Sequence, residues 1–437
     1  MTTAIAPLCP AGPTNTGLRR ILDLEPLADW LAREVNWPPG LESATIALRR
    51  LWVGRCKKVS FELALNPPDR VPHRPFVIQG GFEDGRAKNA PSRQAVIVEA
   101  RLCGLSLQDE HSRAWVCTPD RDPWLPGLAT LFEPTALPRL FAGTRAMEWL
   151  EADVHLTSEL IAWRAGRRAM LRVRSNGREG RRGVCVKTFR RPPSGRTRAI
   201  QEELGAHLNR ISGGRVQVPP ILEVLQNPAL VFTPEIEAAV PLTHSERDLA
   251  AAAETLVRVH AAPLRLEVQH TPRAELQTVC CWLRALRPHQ CAEYRRLRAS
   301  VRQLMRRLAR IGGSEMGPVH RDYYHAQLLR QGGVIWLTDW DTLAGGHPEV
   351  DVATFGAHLA LDALLERRSS HAAAGAIANF VDRYRALGGN LDPGRMAFYL
   401  PCALLRLGAL HGARGRPVEL VHGMWELAEM ALQPMRP

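Results

Sequence analysis

Between residues 319 and 341 two short apolar runs flank a glycine turn, and a carboxylate stands where each run gives way to polar residues. The first part reads Val319, His320, Arg321, Asp322, Tyr323, Tyr324, His325, Ala326, Gln327, Leu328, Leu329. The second reads Val334, Ile335, Trp336, Leu337, Thr338, Asp339, Trp340, Asp341. Gln331, Gly332 and Gly333 between them supply a tight turn, since glycine takes positive φ without steric cost. The pattern predicts a β-hairpin whose open end presents Asp322 and Gln327 beside Asp339. Two carboxylates and an amide oxygen at one hairpin mouth suit phosphoryl transfer from ATP. That chemistry needs a carboxylate to orient and deprotonate the attacking hydroxyl, and oxygen ligands for Mg²⁺ on the phosphates. The blander account makes 334–337 a core strand and Asp339 its solvated end.

Around this hairpin the chain changes character along its length. Residues 1–20 mix Pro and Gly without periodicity and read as a disordered leader. Residues 21–150 read as mixed α/β material, opening with a helix on which Leu24, Leu27 and Leu31 share a face. Strands then precede helices, with strands in 151–240 and almost wholly helical periodicity in 241–437. This order argues for α+β architecture with a small sheet-bearing lobe and a larger helical one. Trp52, Val53, Gly54 and Arg55 weakly echo Trp163 through Arg167, and Val77, Ile78, Gln79 echo Val184 through Lys187 with glutamine in place of lysine. The first stretch is therefore either a degenerate copy of the small lobe or an unrelated basic hairpin.

The hairpin sequence resembles the H-x-D-x-x-x-x-N loop and following metal site of the aminoglycoside phosphotransferase and choline kinase superfamily. Gly346 through Ala353 resembles that family's G-x-P-x-x-D-L-A segment, and Leu256 through His260 its L-x-x-L-H helix. Phe380 through Tyr384 and Met396 through Tyr399 resemble its helical tail, so the likeness spans roughly residues 155 to 430. The resemblance implies a protein-kinase-like two-lobe fold and an ATP- and Mg²⁺-dependent kinase. Asp322 would be the catalytic base, with Asp339 and Gln327 as metal ligands. Gln327 stands where most members carry asparagine, a glutamine that resembles the maltokinase-like branch, and Arg321 replaces the glycine usual in the small-molecule enzymes. Asp351 is expected to cap the helix that follows and brace the loop, His320 to be a packed strut, and Asp341 a surface or loop-stabilising carboxylate.

A kinase also needs a cation on the ATP phosphates and a carboxylate to aim it. Val184, Cys185, Val186 and Lys187 read as a strand ending in lysine, with Cys185 and Lys187 on one face. Ile200, Leu204, Leu208 and Ile211 mark an amphipathic helix carrying Glu202 and Glu203, of which Glu203 is the expected partner of Lys187. Gly166, in a basic turn with Arg164, Arg167 and Arg168, is expected to lie over the phosphates. Residues 230–236 resemble the linker between lobes, whose backbone would hold adenine.

Composition closes off other classes. The net charge of +13 is nearly all arginine spread over the whole length, which is compositional bias rather than a nucleic-acid footprint. Nine cysteines are scattered with no C-x-x-C pair, so reduced thiols are expected. No apolar run reaches the ~18 residues of a membrane-spanning helix and the N-terminal residues lack a signal-peptide pattern, so a cytoplasmic location is expected. Only eleven residues separate Asp339 from Asp351, leaving no room for a protein-kinase activation segment. The expected acceptor is a hydroxyl of a small molecule: a sugar, an aminoglycoside or an amino alcohol. The rivals are a pseudokinase acting as a nucleotide-binding scaffold, and a protein or lipopolysaccharide kinase.

Overall fold

The computed structural model describes residues 45–53, 59–66, 76–84, 112–117 and most of 119–433. The expected leader and the helix around Leu24 to Leu31 lie outside the described residues.

Four strands, β1 (Thr45–Val53), β2 (Val59–Asn66), β3 (Phe76–Asp84) and β4 (Ser112–Cys117), form an antiparallel sheet in sequential order. Three short helices follow, α1 (Pro126–Phe132), α2 (Leu137–Phe141) and α3 (Arg145–Leu150). The chain then lays down β5 (Leu156–Arg164), β6 (Arg168–Ser175) and β7 (Gly183–Phe189). Helix α4 (Arg196–Ser212) and β8 (Val216–Gln217) come next, then β9 (Glu223–Leu225) and β10 (Leu230–Pro234). Strands β5, β6, β7, β10 and β9 make a five-stranded sheet in that order, antiparallel throughout. Its alternation is clean. Val184 and Val186 of β7 are buried, while Cys185 and Lys187 between and after them are only half-buried, as the period of two requires. The apolar face packs on α1–α3, where Leu128, Leu131, Phe141 and Leu150 meet Leu171, Val173, Val186 and Phe232. The small lobe therefore draws part of its core from residues before 151.

The two sheets share a register. In β1 a bulge falls between Leu48 and Arg50, and Arg50 heads a cross-strand row through Glu62, Gln79 and Cys117. In β5 a bulge falls between Leu160 and Ala162, and Ala162 heads a row through Met170, Lys187 and Val231. Gln79 thus occupies the register position in the first sheet that Lys187 occupies in the second.

After β10 the chain crosses to the large lobe, where β11 (Val240–Pro241) pairs with the central hairpin. The large lobe holds α5 (Glu246–His260), α6 (Pro272–Leu286), α7 (Cys291–Leu308) and β12 (Gly317–Val319). The hairpin strands are β13 (Leu328–Gln331) and β14 (Val334–Leu337), followed by β15 (Ala344–Gly346). Helices α8 (Glu349–Leu365), α9 (Ser370–Ala386), α10 (Pro393–Ala413) and α11 (Val418–Leu432) complete it. A helix that is apolar all round must be enclosed, and α8 is. Val350, Ala353, Ala357 and Leu361 face one core cluster, and Val352, Phe355 and Leu359 face a second. Ser245 caps α5 by accepting from Asp248 N, and Ser369 caps α9 by accepting from Ala372 N. The architecture is α+β with a small antiparallel lobe and a helical large lobe. Among the described residues Cys185, Cys280, Cys281 and Cys402 are unbridged, and no helix is long and apolar enough to cross a membrane.

Candidate active site

The hairpin forms as its sequence requires: Leu328 pairs with Leu337 and Gln331 with Val334, with Gly332 at φ +57° in the turn. At the open end Thr338 N donates to Gln327 O at 2.9 Å. The Thr338 hydroxyl lies 3.1 Å from the same carbonyl and 3.2 Å from Gln327 Oε1. Gln327 Nε2 is 3.4 Å from Asp339 Oδ2, so the amide and the carboxylate sit side by side.

Asp322 and Asp339 both border left-handed backbone. Arg321 has φ +70° and Asp339 itself φ +61°, a region non-glycine residues enter at a cost of about 1–3 kcal/mol. The first is held by Asp351. That fully buried carboxylate accepts from Arg321 N at 2.6 Å and from His320 N at 2.7 Å. His260 Nε2 lies 3.1 Å away on the same carboxylate, and its Nδ1 meets Tyr384 Oη at 2.8 Å. Burial works to raise the Asp351 carboxyl, but the hydrogen bonds and the nearby imidazoles overcome it and hold the group below its ordinary pKa. Arg321 stands where a glycine would meet no steric cost, since positive φ is needed there. His320 is fully buried, with Nε2 2.9 Å from Thr338 O and its ring against Trp340. It ties the turn that carries Asp322 to the strand that delivers Asp339.

Across the cleft the small lobe contributes cations. Lys187 Nζ reaches Asp339 Oδ1 at 2.6 Å and Asp341 Oδ1 at 3.1 Å. Arg168, at the start of β6, donates to Asp341 Oδ2 at 2.8 Å and lies 3.6 Å from Asp339 Oδ1. Burial raises the Asp339 carboxyl, but Lys187 and then Arg168 outweigh it and bring its pKa down to about 2. Arg164 feels both Asp322 and Asp339. Tyr324, stacked on His358 at 4.3 Å, is pushed above its ordinary pKa by burial and by the same two carboxylates. Asp322, Asp339, Gln327 and Lys187 thus gather at one cleft.

Two expectations read differently. Glu203 is exposed on α4 and is not brought to Lys187, whose acidic partners are Asp339 and Asp341. The reason is the face that α4 buries. Leu204 and Leu208 pack with Val216, Tyr323 and Ile335 in a large-lobe core, which turns the neighbouring Glu203 outward. Glu202 pairs with Arg198 instead. Asp341, expected to be peripheral, holds the same two cations as Asp339.

Gly166 sits in the turn between β5 and β6, at φ +67°, and a Cβ there would lie 3.1 Å from the Trp124 ring. Its N–H donates to Asp122 Oδ2 at 2.8 Å. Asp122 also accepts from Trp163 Nε1 at 2.9 Å and Trp124 N at 3.0 Å. Burial raises the Asp122 carboxyl while these donors pull it down, and burial wins. Asp122 was not singled out from the sequence. An aspartate before Pro123 and Trp124 carries only a local turn signal, and two of its partners, Trp163 and Gly166, lie more than forty residues away.

The sequence model of the phosphotransferase enzyme family matches residues 165–399, more than half of the chain, a span that includes Gly166, Arg168, Lys187, Asp322, Gln327, Asp339 and Asp341 but not Asp122, Trp124, Trp163 or Arg164. The chain belongs to the phosphotransferase enzyme family. Its large lobe supplies the carboxylates and its small lobe the cations. Similar solved structures include a choline/ethanolamine kinase family protein from Mesorhizobium loti, 16% identical with TM-score 0.43, covering 64% of this chain and 89% of that one. Another is the choline kinase LicA from Streptococcus pneumoniae, 16% identical with TM-score 0.44, covering 63% and 92%. A third is a choline kinase from Cryptosporidium parvum, 12% identical with TM-score 0.40, covering 63% and 87%. No curated protein matches the chain.

Proposed function

We propose that this phosphotransferase moves the γ-phosphate of ATP to a hydroxyl of a small molecule, with Mg²⁺ as the metal. The observation that carries the reading is the contact of Lys187 with Asp339 across the lobes, beside the Asp322 turn. A lysine on a small-lobe strand opposite a carboxylate on a large-lobe hairpin is the arrangement that grips a metal-bound triphosphate from both sides. The donor set fits the ion: Asp339 and Gln327 offer hard oxygen atoms, as Mg²⁺ requires. For Gln327 to serve, its amide turns over, so that Oε1 faces Asp339 and Nε2 faces Thr338. When bound, Mg²⁺ would neutralise charge on the phosphate oxygens.

In this reading Lys187 holds the α- and β-phosphates and the Gly166 turn covers them, with Arg168 available to phosphate oxygens. Asp322 orients the acceptor hydroxyl and takes its proton as the bond to phosphorus forms. The brace from Asp351 fixes the turn before Asp322, so the base is positioned before substrate arrives. The stretch between Asp339 and Asp351 is filled by a single helical turn, β15 and the start of α8. That compactness favours a small acceptor (a sugar, an aminoglycoside or an amino alcohol) over a protein. The acceptor would enter between the hairpin mouth and the helices that follow it. We read the first sheet as a copy of the small-lobe meander that lacks the lysine.

The deciding experiment is a γ-phosphate transfer screen over sugars, amino alcohols and aminoglycosides with wild type and Asp322→Asn. Transfer by wild type alone, with nucleotide binding kept in the variant, is the expected result. Equal transfer by both proteins would remove Asp322 from its role. Mg-ATP binding without transfer to any acceptor would favour a scaffold.

A further inference from the structure

Beside the proposed phosphoryl-transfer site lies a group of side chains that the mechanism does not use. His244 precedes the cap of α5, His325 lies three residues beyond Asp322, and Asp362 sits on α8. His244 Nε2 is 3.5 Å from His325 Nδ1, His244 Nε2 is 3.3 Å from Asp362 Oδ2, and His325 Nδ1 is 3.5 Å from the same oxygen. The three atoms make a nearly equilateral triangle. A tetrahedral ion with ligands at about 2.0–2.1 Å requires edges of about 3.4 Å. The imidazole rings stand edge to face at 4.8 Å, so the two nitrogens converge without stacking. Asp362 Oδ2 is buried and lies 3.3 Å and 3.5 Å from the two imidazole nitrogens. A cation in the space they share would offset the cost of burying that carboxylate oxygen.

We propose that His244, His325 and Asp362 form a binding site for a divalent late transition ion of the Zn²⁺ type, which fastens the Asp322 turn to α5 and α8. Two imidazoles and one carboxylate are the donors such ions prefer, whereas Mg²⁺ and Ca²⁺ prefer all-oxygen sets. The site is distinct from Asp339 and Gln327, whose donors are oxygen. The side chains are 36%, 25% and 22% exposed for His244, His325 and Asp362 respectively, which leaves one face for water or another oxygen ligand as the fourth donor. Each ligand comes from a different element: the segment entering α5, the turn after Asp322, and the last turn of α8. One ion would therefore cross-link the parts that must hold still around the hairpin mouth.

The test uses the full chain, freed of any affinity tag and stripped with a chelator, titrated calorimetrically with Zn²⁺ in the presence of Mg-ADP. One equivalent bound per chain is expected, together with a rise in the thermal midpoint on adding Zn²⁺. His244→Ala and Asp362→Asn should each weaken binding at least ~10-fold and abolish that rise, on the scale by which altered metal-site partners act. Asp339→Ala should leave Zn²⁺ affinity unchanged. His244 is the most exposed of the three, so its removal spares the fold. Co²⁺ in place of Zn²⁺ gives an independent readout, the visible absorption of a tetrahedral ion, lost in His244→Ala. Absence of saturable binding at micromolar Zn²⁺, binding that both variants keep, or binding lost in Asp339→Ala would each overturn the proposal.

Discussion

Asp351 illustrates how much one buried carboxylate can organise. It bonds the two backbone N–H groups that precede Asp322 and faces His260, so its removal leaves three donors without an acceptor. Asp351→Ala is expected to cost about 3–5 kcal/mol, the range for breaking a buried charged network, measured by urea unfolding. Asp339 behaves differently because its partners are cations. Its folded pKa lies near 2, below the ordinary carboxylate value of about 3.9, so it contributes stability above the ordinary value and loses it as pH falls through its own. The stability gap between wild type and Asp339→Asn should be constant near neutral pH and narrow from about pH 4 toward about pH 2. A gap that widened on acidification would contradict the Lys187 and Arg168 contacts. Asp339→Ala should also lose Mg²⁺-dependent nucleotide binding, read by calorimetry.

At the scale of elements, the turn between β5 and β6 is fixed from outside itself. Gly166 needs positive φ, the Trp124 ring closes the space a side chain would fill, and Asp122 holds the backbone N–H. Gly166→Ala is expected to destabilise by about 1–2 kcal/mol, the cost of an L side chain in left-handed backbone. If the turn covers phosphates, the same variant raises KM for ATP more than it lowers kcat, and Asp122→Ala does likewise. Unchanged KM in both would detach this turn from nucleotide binding. Helix α4 shows where reading by element fails. Its amphipathic stripe was legible from Leu204 and Leu208, but a stripe says only that one face is buried, not against which lobe. Packing on the large-lobe core chose the rotation and turned Glu203 away from Lys187.

For the whole molecule, two sheets with the same bulge and the same cross-strand row stand in one chain, yet only the second carries a lysine in that row. One nucleotide bound per chain is therefore expected, and Lys187→Ala should abolish its binding. Two nucleotides per chain by calorimetry would show that Gln79 does not disable the first sheet. The lobes meet through Lys187 and Arg168 on one side and Asp339 and Asp341 on the other. These part-exposed pairs are salt-sensitive.

The residues alone determined what depends on short-range chemistry. The hairpin from 328 to 337 follows from apolar alternation and two glycines, and the β7 strand ending in Lys187 follows from the period of two. Asp322, Gln327 and Asp339 were legible because one hairpin joins them through nearby backbone. Tertiary structure decided what depends on surfaces meeting: that Lys187 answers to Asp339 and Asp341, that Asp122 braces a turn more than forty residues away, and that His244, His325 and Asp362 converge. A side chain's neighbours within one strand or turn are set by backbone periodicity. Its neighbours across a cleft are set by which faces the cores bury, and no local pattern encodes that choice.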